Sequence, residues 1–209
     1  MNLVAALAEA VAIPVVRHRD RAIAETGSRL LARHGFAAIE LTFTIPDVAG
    51  LIAQLRADAP DTLVGAGTVL DASAARRAID AGASFVVSPC YVDEVAAECR
   101  SQRVAYIAAG ATPGEILHCW RAGAPLVKVF PARQLGGPGF VRAVRAVFPD
   151  IPLMPTGGVG LDEVADYRSA GAACVGLGEL FPAHALERGD LAAAEVAVEQ
   201  ARRAIRAGS

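Results

Sequence analysis

The stretch Ala81-Gly82-Ala83-Ser84-Phe85-Val86-Val87-Ser88 contains the pattern on which our prediction of the fold rests. A glycine stands where a helix should end, and glycine readily adopts the left-handed backbone conformation that closes helices. A short apolar run follows, of the length typical of a strand buried in a parallel sheet. The stretch therefore predicts one helix-to-strand junction of an α/β protein.

The same pattern returns at intervals along the chain. A glycine precedes a predicted strand roughly every 40 to 50 residues, a spacing that corresponds to two strand–helix units. The other copies are His34-Gly35-Phe36-Ala37, Ala122-Gly123-Ala124-Pro125 and Ala170-Gly171-Ala172-Ala173. This weak internal repeat predicts a chain built from successive strand–helix units.

Short apolar runs alternate with amphipathic segments rich in Ala, Arg and Glu over the whole chain. Eight such strand–helix units in 209 residues predict a single-domain (β/α)8 TIM barrel over residues 1–209, since no linker divides the chain. We expect a short helix over residues 3–10 to close the bottom of the barrel and a terminal helix over residues 191–205. The eight predicted strands are residues 12–17, 37–43, 62–65, 84–88, 104–108, 126–130, 152–155 and 173–176.

The composition limits the classes of partner. Hydrophobic residues make up 54% of the chain and aromatic residues only 5%, so the core must consist of Ala, Val, Leu and Ile. The formal net charge is −2 and no basic tract occurs, so we expect no nucleic-acid partner. No run approaches the roughly 18 apolar residues of a membrane span, and the N-terminus lacks a signal-peptide pattern. We therefore expect a cytoplasmic protein that binds a small molecule and no membrane.

The cysteines and histidines indicate neither a metal site nor a disulfide framework. No CxxC pair and no HxxxH or HxH spacing occurs, so we expect buried free thiols and no metal ion. A metal site assembled from distant carboxylates stays open as an alternative. The residues concerned are Cys90, Cys99, Cys119, Cys174, His18, His34, His118 and His184.

Lys128 is the only lysine in the chain, beside 19 arginines. It is the only charge in the run Ala124-Pro125-Leu126-Val127-Lys128-Val129-Phe130-Pro131, where burial against the helices would be costly. We therefore expect it in the barrel lumen, where burial penalises the ammonium form and a neutral amine can attack a ketone to form an iminium. The alternatives are a lysine that reaches solvent at the strand end and one that only binds an anion.

Glu40 is the second charge in an apolar strand, Ala37-Ala38-Ile39-Glu40-Leu41-Thr42-Phe43. We expect it to point into the same lumen as Lys128. A carboxylate beside a Schiff-base lysine can move protons during carbinolamine formation, dehydration and C–C cleavage. A purely structural ion pair with Lys128 or Arg17 is the alternative.

Two glycine clusters follow the last two predicted strands, Pro155-Thr156-Gly157-Gly158-Val159 and Val175-Gly176-Leu177-Gly178-Glu179. Barrels commonly bind an anion in these two loops, because glycines let backbone N–H groups approach it closely. The clusters therefore favour a phosphate or carboxylate site. Tight strand–helix turns without a ligand are the alternative.

Six motifs in this order are far more specific than each alone. They are Ile13-Pro14-Val15-Val16-Arg17, Ile39-Glu40-Leu41-Thr42, Val64-Gly65-Ala66-Gly67-Thr68-Val69, Ala81 to Pro89, Val127-Lys128-Val129-Phe130-Pro131-Ala132 and Pro155-Thr156-Gly157-Gly158. Through them nearly the whole chain resembles the family of 2-keto-3-deoxy-6-phosphogluconate (KDPG) aldolases. That family includes aldolases for 4-hydroxy-2-oxoglutarate (KHG) and for the galactonate epimer.

The resemblance implies a class I aldolase of carbohydrate metabolism without metal or cofactor, usually a homotrimer. It implies Lys128 as the Schiff-base residue and Glu40 as the general acid and base. The residues it implies around the pyruvate part of the substrate are Arg17, Thr68, Pro89 and Thr156. Those that it implies around the distal phosphate are Gly157, Gly158, Gly176 and Gly178.

Two positions depart from the family pattern. Thr44 stands where many gluconate-type members have an arginine for the substrate carboxylate, and Arg17 could supply that grip instead. Glu179 stands where the family often has a serine that can donate to phosphate, and a carboxylate there would repel a dianion. Both departures leave the aldol chemistry intact and concern the substrate.

The sequence therefore predicts an aldehyde-lyase that cleaves a 2-keto-3-deoxy-6-phospho sugar acid or KHG. The products would be pyruvate and an aldehyde, either glyceraldehyde 3-phosphate or glyoxylate. The rival is a phosphate-binding barrel isomerase or synthase in which Lys128 and Glu40 act as acid and base without an imine. A non-catalytic sugar-acid-binding barrel is a further alternative.

Overall fold

The strands of the protein form a parallel sheet arrangement. The computed structural model describes residues 2–207 of the chain. The strands in this range are β1 (Ala12–Val16), β2 (Ala38–Thr42), β3 (Leu63–Gly67), β4 (Phe85–Val87), β5 (Ala105–Ile107), β6 (Ala109–Gly110), β7 (Val127–Val129), β8 (Leu153–Pro155) and β9 (Val175–Leu177).

Helices follow or precede almost every strand. A 3-10 helix, Leu161–Glu163, lies between β8 and the next α-helix. The α-helices are α1 (Leu3–Ala10), α2 (Arg21–Arg33), α3 (Val48–Asp58), α4 (Ala72–Asp80), α5 (Asp93–Ser101), α6 (Pro113–Arg121), α7 (Gly137–Val147), α8 (Val164–Ser169), α9 (Ala183–Glu187) and α10 (Leu191–Ala207). None of the described helices is long and apolar enough to cross a membrane.

The strands pair in chain order into a curled parallel sheet. One group has the order β5-β4-β3-β2-β1-β9 and the other the order β6-β7-β8. Only Ala108 separates β5 from β6, and a parallel bridge joins Thr156, directly after β8, to Gly176 in β9. The α/β class with a parallel sheet, which the sequence predicts, is thus confirmed.

Strand bounds differ from the predicted ones at several places. The predicted strand 104–108 corresponds to β5, which pairs with β4, whereas β6, which begins after Ala108 and pairs with β7, was not predicted. The predicted strand 62–65 extends to Gly67, which pairs with Thr42. The four repeated glycines do lie at helix-to-strand junctions, with φ values from 77° to 97°.

Alternate residues of the strands face two different hydrophobic clusters, because successive side chains of a strand point to opposite faces. The cluster on the concave face, which we call the inner cluster, contains Leu7, Ile13, Ala38, Phe85, Val87, Ile107, Leu126, Met154 and Cys174. The other cluster fills the space between the sheet and its helices. Leu7 of α1 belongs to the inner cluster, so α1 packs against the same face.

Candidate active site

The candidate site lies on the same face of the sheet as the inner cluster. Lys128 lies two residues after Leu126, and Glu40 two residues after Ala38. Because side chains two apart on a strand point the same way, both charged groups project beyond the inner cluster toward the carboxyl ends of the strands. The apolar cluster closes the space beneath them.

Lys128 and Glu40 form a buried pair. The Nζ of Lys128 is 3.7 Å from Oε1 of Glu40, and the two residues are only 6% and 1% exposed. Nζ also lies 5.5 Å from the centre of the Phe130 ring. Within the described residues, neither carboxylate oxygen of Glu40 has a hydrogen-bond partner. Both oxygens are therefore able to accept a hydrogen bond from a molecule bound between them and the amine.

Gly67 makes the room that Glu40 occupies. A Cβ built on Gly67 would overlap Oε1 of Glu40 and would also crowd its Cγ. Gly67 pairs with Thr42, two residues after Glu40, so the glycine stands beside the carboxylate on the neighbouring strand. Only glycine leaves the Glu40 side chain in reach of the lysine.

Arg17 and Thr68 directly follow β1 and β3, the two strands that pair with β2, which contains Glu40. The Nη2 of Arg17 donates to Oγ1 of Thr68 at 2.9 Å, directly after β1 and β3 end. Thr68 directly follows Gly67 and has a positive φ of 59°, which β-branched residues rarely adopt. The guanidinium of Arg17 is exposed and keeps donors free for an anionic ligand.

Thr156 and Phe130 connect the amine to the glycine loops. Thr156 is buried, and a Cβ on Gly176 would overlap its Oγ1, so that hydroxyl packs directly on β9. A Cβ on Gly157 would lie 2.9 Å from the Phe130 ring. Pro89 and Phe130 line one cavity of about 490 Å³ at the ends of the neighbouring strands. The structure thus places Pro89, Thr156 and Gly157, all three predicted as site residues, around one end of the sheet.

The distal glycine loops have a more exposed position. Gly158 and Gly178 are exposed, and a Cβ on Gly158 would contact the side chain of Arg133. Glu179 is also exposed, and its Oε2 accepts a hydrogen bond of 3.0 Å from the backbone N–H of Leu161. Glu179 therefore bridges the loops that follow β9 and β8, and no contact joins it to Lys128.

Thr44 lies at the position where the resemblance would place an arginine. It is exposed, and its Oγ1 is 2.8 Å from Oγ1 of Thr42, which donates to the carbonyl of Val16. This short hydroxyl chain ties β2 to β1 and carries no charge. Two cationic groups lie at these strand ends: Arg17 directly follows β1, and the Arg77 guanidinium is 5.6 Å from the centre of the Phe43 ring, directly after β2.

Three residues that contribute to the site were not predicted from the sequence: Gly67, Phe130 and Leu161. A glycine in a buried strand marks a close approach of another group, and the lone carboxylate of the adjacent predicted strand was the signal for Gly67. Phe130 stands two residues after Lys128, on the same face, so strand alternation could have identified it. The N–H of Leu161 has no sequence signal, because any residue offers a backbone amide.

Three of the four cysteines belong to the hydrophobic clusters, and the fourth, Cys90, lines the same cavity as Pro89 and Phe130. Cys99, Cys119 and Cys174 are buried, and burial raises the pKa of these thiols to about 12, 11 and 12 respectively. Cys90 is exposed, so the expectation of buried thiols is wrong at this position, which lies in the loop after β4. Within the described residues, no three His, Cys, Asp or Glu side chains come together as metal ligands.

Comparison with known proteins adds the family. Residues 3–197 match the sequence profile of the family described as KDPG and KHG aldolase. A 2-dehydro-3-deoxy-phosphogluconate aldolase of Pseudomonas aeruginosa is 36% identical over 188 residues, 90% of this chain and 86% of that protein. The KHG/KDPG aldolase of Escherichia coli K12 is 28% identical over 179 residues, 85% of this chain and 84% of that protein.

A solved structure agrees with these relatives. The KDPG aldolase of Legionella pneumophila, in a crystal structure with pyruvate captured as a covalent carbinolamine intermediate, superposes with a TM-score of 0.85. It is 26% identical, and the match covers 95% of this chain and 96% of that one. The chain therefore belongs to the KDPG and KHG aldolase family and is an aldolase, that is, an aldehyde-lyase.

Proposed function

We propose that the protein cleaves a 4-hydroxy-2-keto acid to pyruvate and an aldehyde through a Schiff base on Lys128. The main support for this proposal is the buried Lys128–Glu40 pair, with 3.7 Å between Nζ and Oε1. The substrate class is that of the family, KDPG-type sugar acids or KHG. No metal takes part, since the iminium itself serves as the electron sink.

The first half of the reaction forms the imine. The neutral amine of Lys128 adds to the C2 ketone, and the nitrogen's proton passes to the former carbonyl oxygen, which gives a carbinolamine. Loss of that hydroxyl as water, with a proton supplied by Glu40, gives the iminium. Phe130 lies against the amine and excludes water from one side of the reacting nitrogen.

The second half breaks the C3–C4 bond. Glu40 accepts the proton of the C4 hydroxyl, C4 becomes the aldehyde carbon, and the bonding electron pair moves into the iminium to give an enamine. Protonation of C3 and addition of water then release pyruvate and regenerate the amine. A carboxylate with two unpartnered buried oxygens is suited to accept and return these protons.

The remaining predicted residues bind the substrate in this proposal. Arg17, held by Thr68, takes the C1 carboxylate, since a guanidinium can offer two parallel N–H donors. Pro89 and Thr156 surround the pyruvate part. Farther along the substrate, the glycines of the two last loops, Gly157, Gly158, Gly176 and Gly178, line its distal end.

Borohydride reduction in the presence of pyruvate tests the covalent step. We expect the intact protein to gain the mass of one reduced pyruvate adduct, and a tryptic peptide map to place it on Lys128. An isomerase or synthase that used Lys128 and Glu40 without an imine would give no adduct, and a non-catalytic binding protein would show no turnover. Turnover of KDPG or KHG without a trapped adduct would contradict the Schiff-base mechanism.

We further propose that the curled sheet is a closed (β/α)8 barrel and that residues 1–209 form one domain. Two observations support closure: only Ala108 separates β5 of one group from β6 of the other, and the Thr156–Gly176 bridge joins the opposite edges of the two groups. In this arrangement α1 caps the amino-terminal end, where Leu7 completes the inner cluster. The site then lies at the carboxyl-terminal end, as in TIM-barrel enzymes generally.

We propose a cytoplasmic homotrimer as the working state, as the family resemblance implies. Light scattering coupled to size-exclusion chromatography measures it directly. The expected mass is three times 21.5 kDa. A mass of one subunit at micromolar concentration would contradict the trimer.

A further inference from the structure

The side chain of Glu179 accepts a hydrogen bond from a backbone N–H group at the distal end of the site. Glu179 stands two residues after β9, and its Oε2 accepts the N–H of Leu161, the first residue of the 3-10 helix, at 3.0 Å. Leu161 follows the Gly157–Gly158 pair by three residues in the loop after β8. An acidic side chain of one loop thus binds an amide of the other.

The preceding amide is occupied in the same way. The N–H of Gly160 donates to Oε2 of Glu163 at 2.8 Å, and the same oxygen accepts from Arg133 at 3.0 Å. The N–H of Gly160, and after it the guanidinium of Arg133, hold the pKa of Glu163 below its ordinary value. Glu163 is therefore an anion near neutral pH, and both amides donate to carboxylates of the protein itself.

These contacts decide what the distal end can bind. In barrels of this kind, phosphate is commonly held by backbone amides of the loops after the seventh and eighth strands. Here two carboxylates, those of Glu163 and Glu179, accept hydrogen bonds from the loop amides. One guanidinium, that of Arg133, donates to Glu163 and offsets one of the two negative charges. The charge of this group is −1, so it would repel a phosphate dianion placed beside it. The N–H groups of Gly160 and Leu161 are already bound to carboxylates of the protein.

We infer that Glu179 determines substrate specificity by excluding a distal phosphate, so that the substrate is a 4-hydroxy-2-keto acid without a phosphate group. This inference rests on the proposed function and selects one of its two substrate classes. The exposed carboxylate keeps acceptor capacity for hydroxyl groups of an uncharged substrate tail. A Cβ built on Gly178 meets no atom within 4 Å, so the space beside Glu179 is open to such a tail.

A matched pair of substrates tests the inference. We would measure kcat/KM for 2-keto-3-deoxygluconate with and without its 6-phosphate, and for KHG, on the wild type, Glu179→Gln and Glu179→Ser. The wild type should favour the unphosphorylated acids. Glu179→Ser should raise the phosphorylated-to-unphosphorylated ratio at least about tenfold, or about 1.4 kcal/mol. Glu179→Gln should raise it less, because its amide oxygen still accepts the N–H of Leu161.

A double variant separates the freed amide from the lost charge. Leu161→Pro removes the N–H at the first helical position, which proline tolerates, and Gly160 already has the extended conformation required before proline, with φ −86° and ψ 156°. Part of the gain in Glu179→Ser should disappear in Glu179→Ser/Leu161→Pro, with similar melting temperatures. Glu9→Gln, at an exposed position of α1, changes the net charge equally and should leave the ratio unchanged.

The outcomes distinguish this inference from the proposed function. Strong preference of the wild type for the phosphorylated acid, unchanged in Glu179→Ser, overturns the inference while a borohydride-trapped pyruvate adduct still supports the aldolase. The absence of both cleavage and adduct overturns the proposed function instead. A ratio that rises equally in Glu9→Gln also overturns the role of Glu179, because only net charge would then matter.

Discussion

At the residue scale, Lys128 allows the sharpest prediction. Lys128→Arg should retain the fold and the ion pair with Glu40 but abolish pyruvate release, because a guanidinium stays protonated and cannot form an imine. Coupled assays of pyruvate formation measure this, with circular dichroism as the control for folding. Retention of more than about a thousandth of the activity, a loss of only ~4 kcal/mol, would contradict the assignment.

Glu40→Gln tests proton transfer apart from binding. The amide keeps the shape of the side chain beside Gly67 but cannot accept and return a proton. We expect kcat to fall by about 10²- to 10⁴-fold, with a smaller change in KM. Pyruvate should still be trapped by borohydride, if more slowly. An unchanged kcat would mean that Glu40 serves only as a structural partner of Lys128.

Arg17→Lys tests the grip on the substrate carboxylate. An ammonium is a point charge and cannot reproduce the forked contact, so KM for the keto acid and the inhibition constant of pyruvate should both rise. A ketone ligand without a carboxylate, such as hydroxyacetone, is the comparison. If its inhibition weakens by the same factor, Arg17 supports the Thr68 loop rather than the substrate.

At the scale of the secondary-structure elements, the pairing of β2 with β3 positions the carboxylate of Glu40. Gly67→Ala would place a methyl group on Oε1 of Glu40 and push the carboxylate away from Lys128. We expect a large loss of kcat with a smaller loss of thermal stability, measured by steady-state kinetics and thermal unfolding. Wild-type kcat in this variant would show that Glu40 can act from another position.

Gly139→Ala is the matched control in a helix. Gly139 lies in α7, lacks a positive φ, and a Cβ built there meets no atom within 4 Å. The substitution should stabilise the protein by about 0.4–1 kcal/mol, because it restricts the unfolded chain. It should leave kcat unchanged.

The observed bounds of the helices and strands also show which features hydrophobic periodicity can predict. The helix Leu3–Ala10 has the predicted bounds, and its Asn2 side chain accepts the N–H groups of Val4 and Ala5. The strand predicted over 104–108, by contrast, corresponds to β5 alone, and the apolar run gives no signal for β6, which begins after Ala108 and pairs with another strand. Periodicity reports which residues are buried, and it carries no information on which neighbour a strand pairs with.

At the scale of the whole molecule, stability should fall in acid. The pKa values of four carboxyl groups lie below the ordinary 4.5, so the folded state binds fewer protons than the unfolded state near that pH. Their stabilising effect is present above pH 4.5 and is lost as the pH falls through the lowered values. The groups and main causes are Glu98 with Arg76, Glu115 with the N–H of Ala111, Glu163 with the N–H of Gly160, and Glu187 with His18.

Melting temperatures from pH 7 to pH 3 measure this effect. We expect little change above pH 5 and a progressive decrease below it. Glu98→Gln removes one of the titrating groups, and its melting curve should depend less steeply on pH in the acid range. A melting temperature that rises below pH 4.5 would contradict the sign of these pKa shifts.

The sequence by itself determined the α/β class, the helix-to-strand junctions at the repeated glycines and the family. It also singled out Lys128 and Glu40, because a lone charged side chain in an apolar run is costly to bury unless it has a partner. These are properties of short segments, because the pattern of apolar and charged residues within one segment indicates which of its side chains are buried.

Only the tertiary structure decided which distant groups meet. The 3.7 Å between Lys128 and Glu40 and the bond from the N–H of Leu161 to Glu179 depend on strand order and register. A shift of one residue in register would turn either strand's charged side chain to the opposite face. A backbone amide, moreover, is common to all residues except proline, so the sequence could not mark Leu161 as the partner that Glu179 reaches.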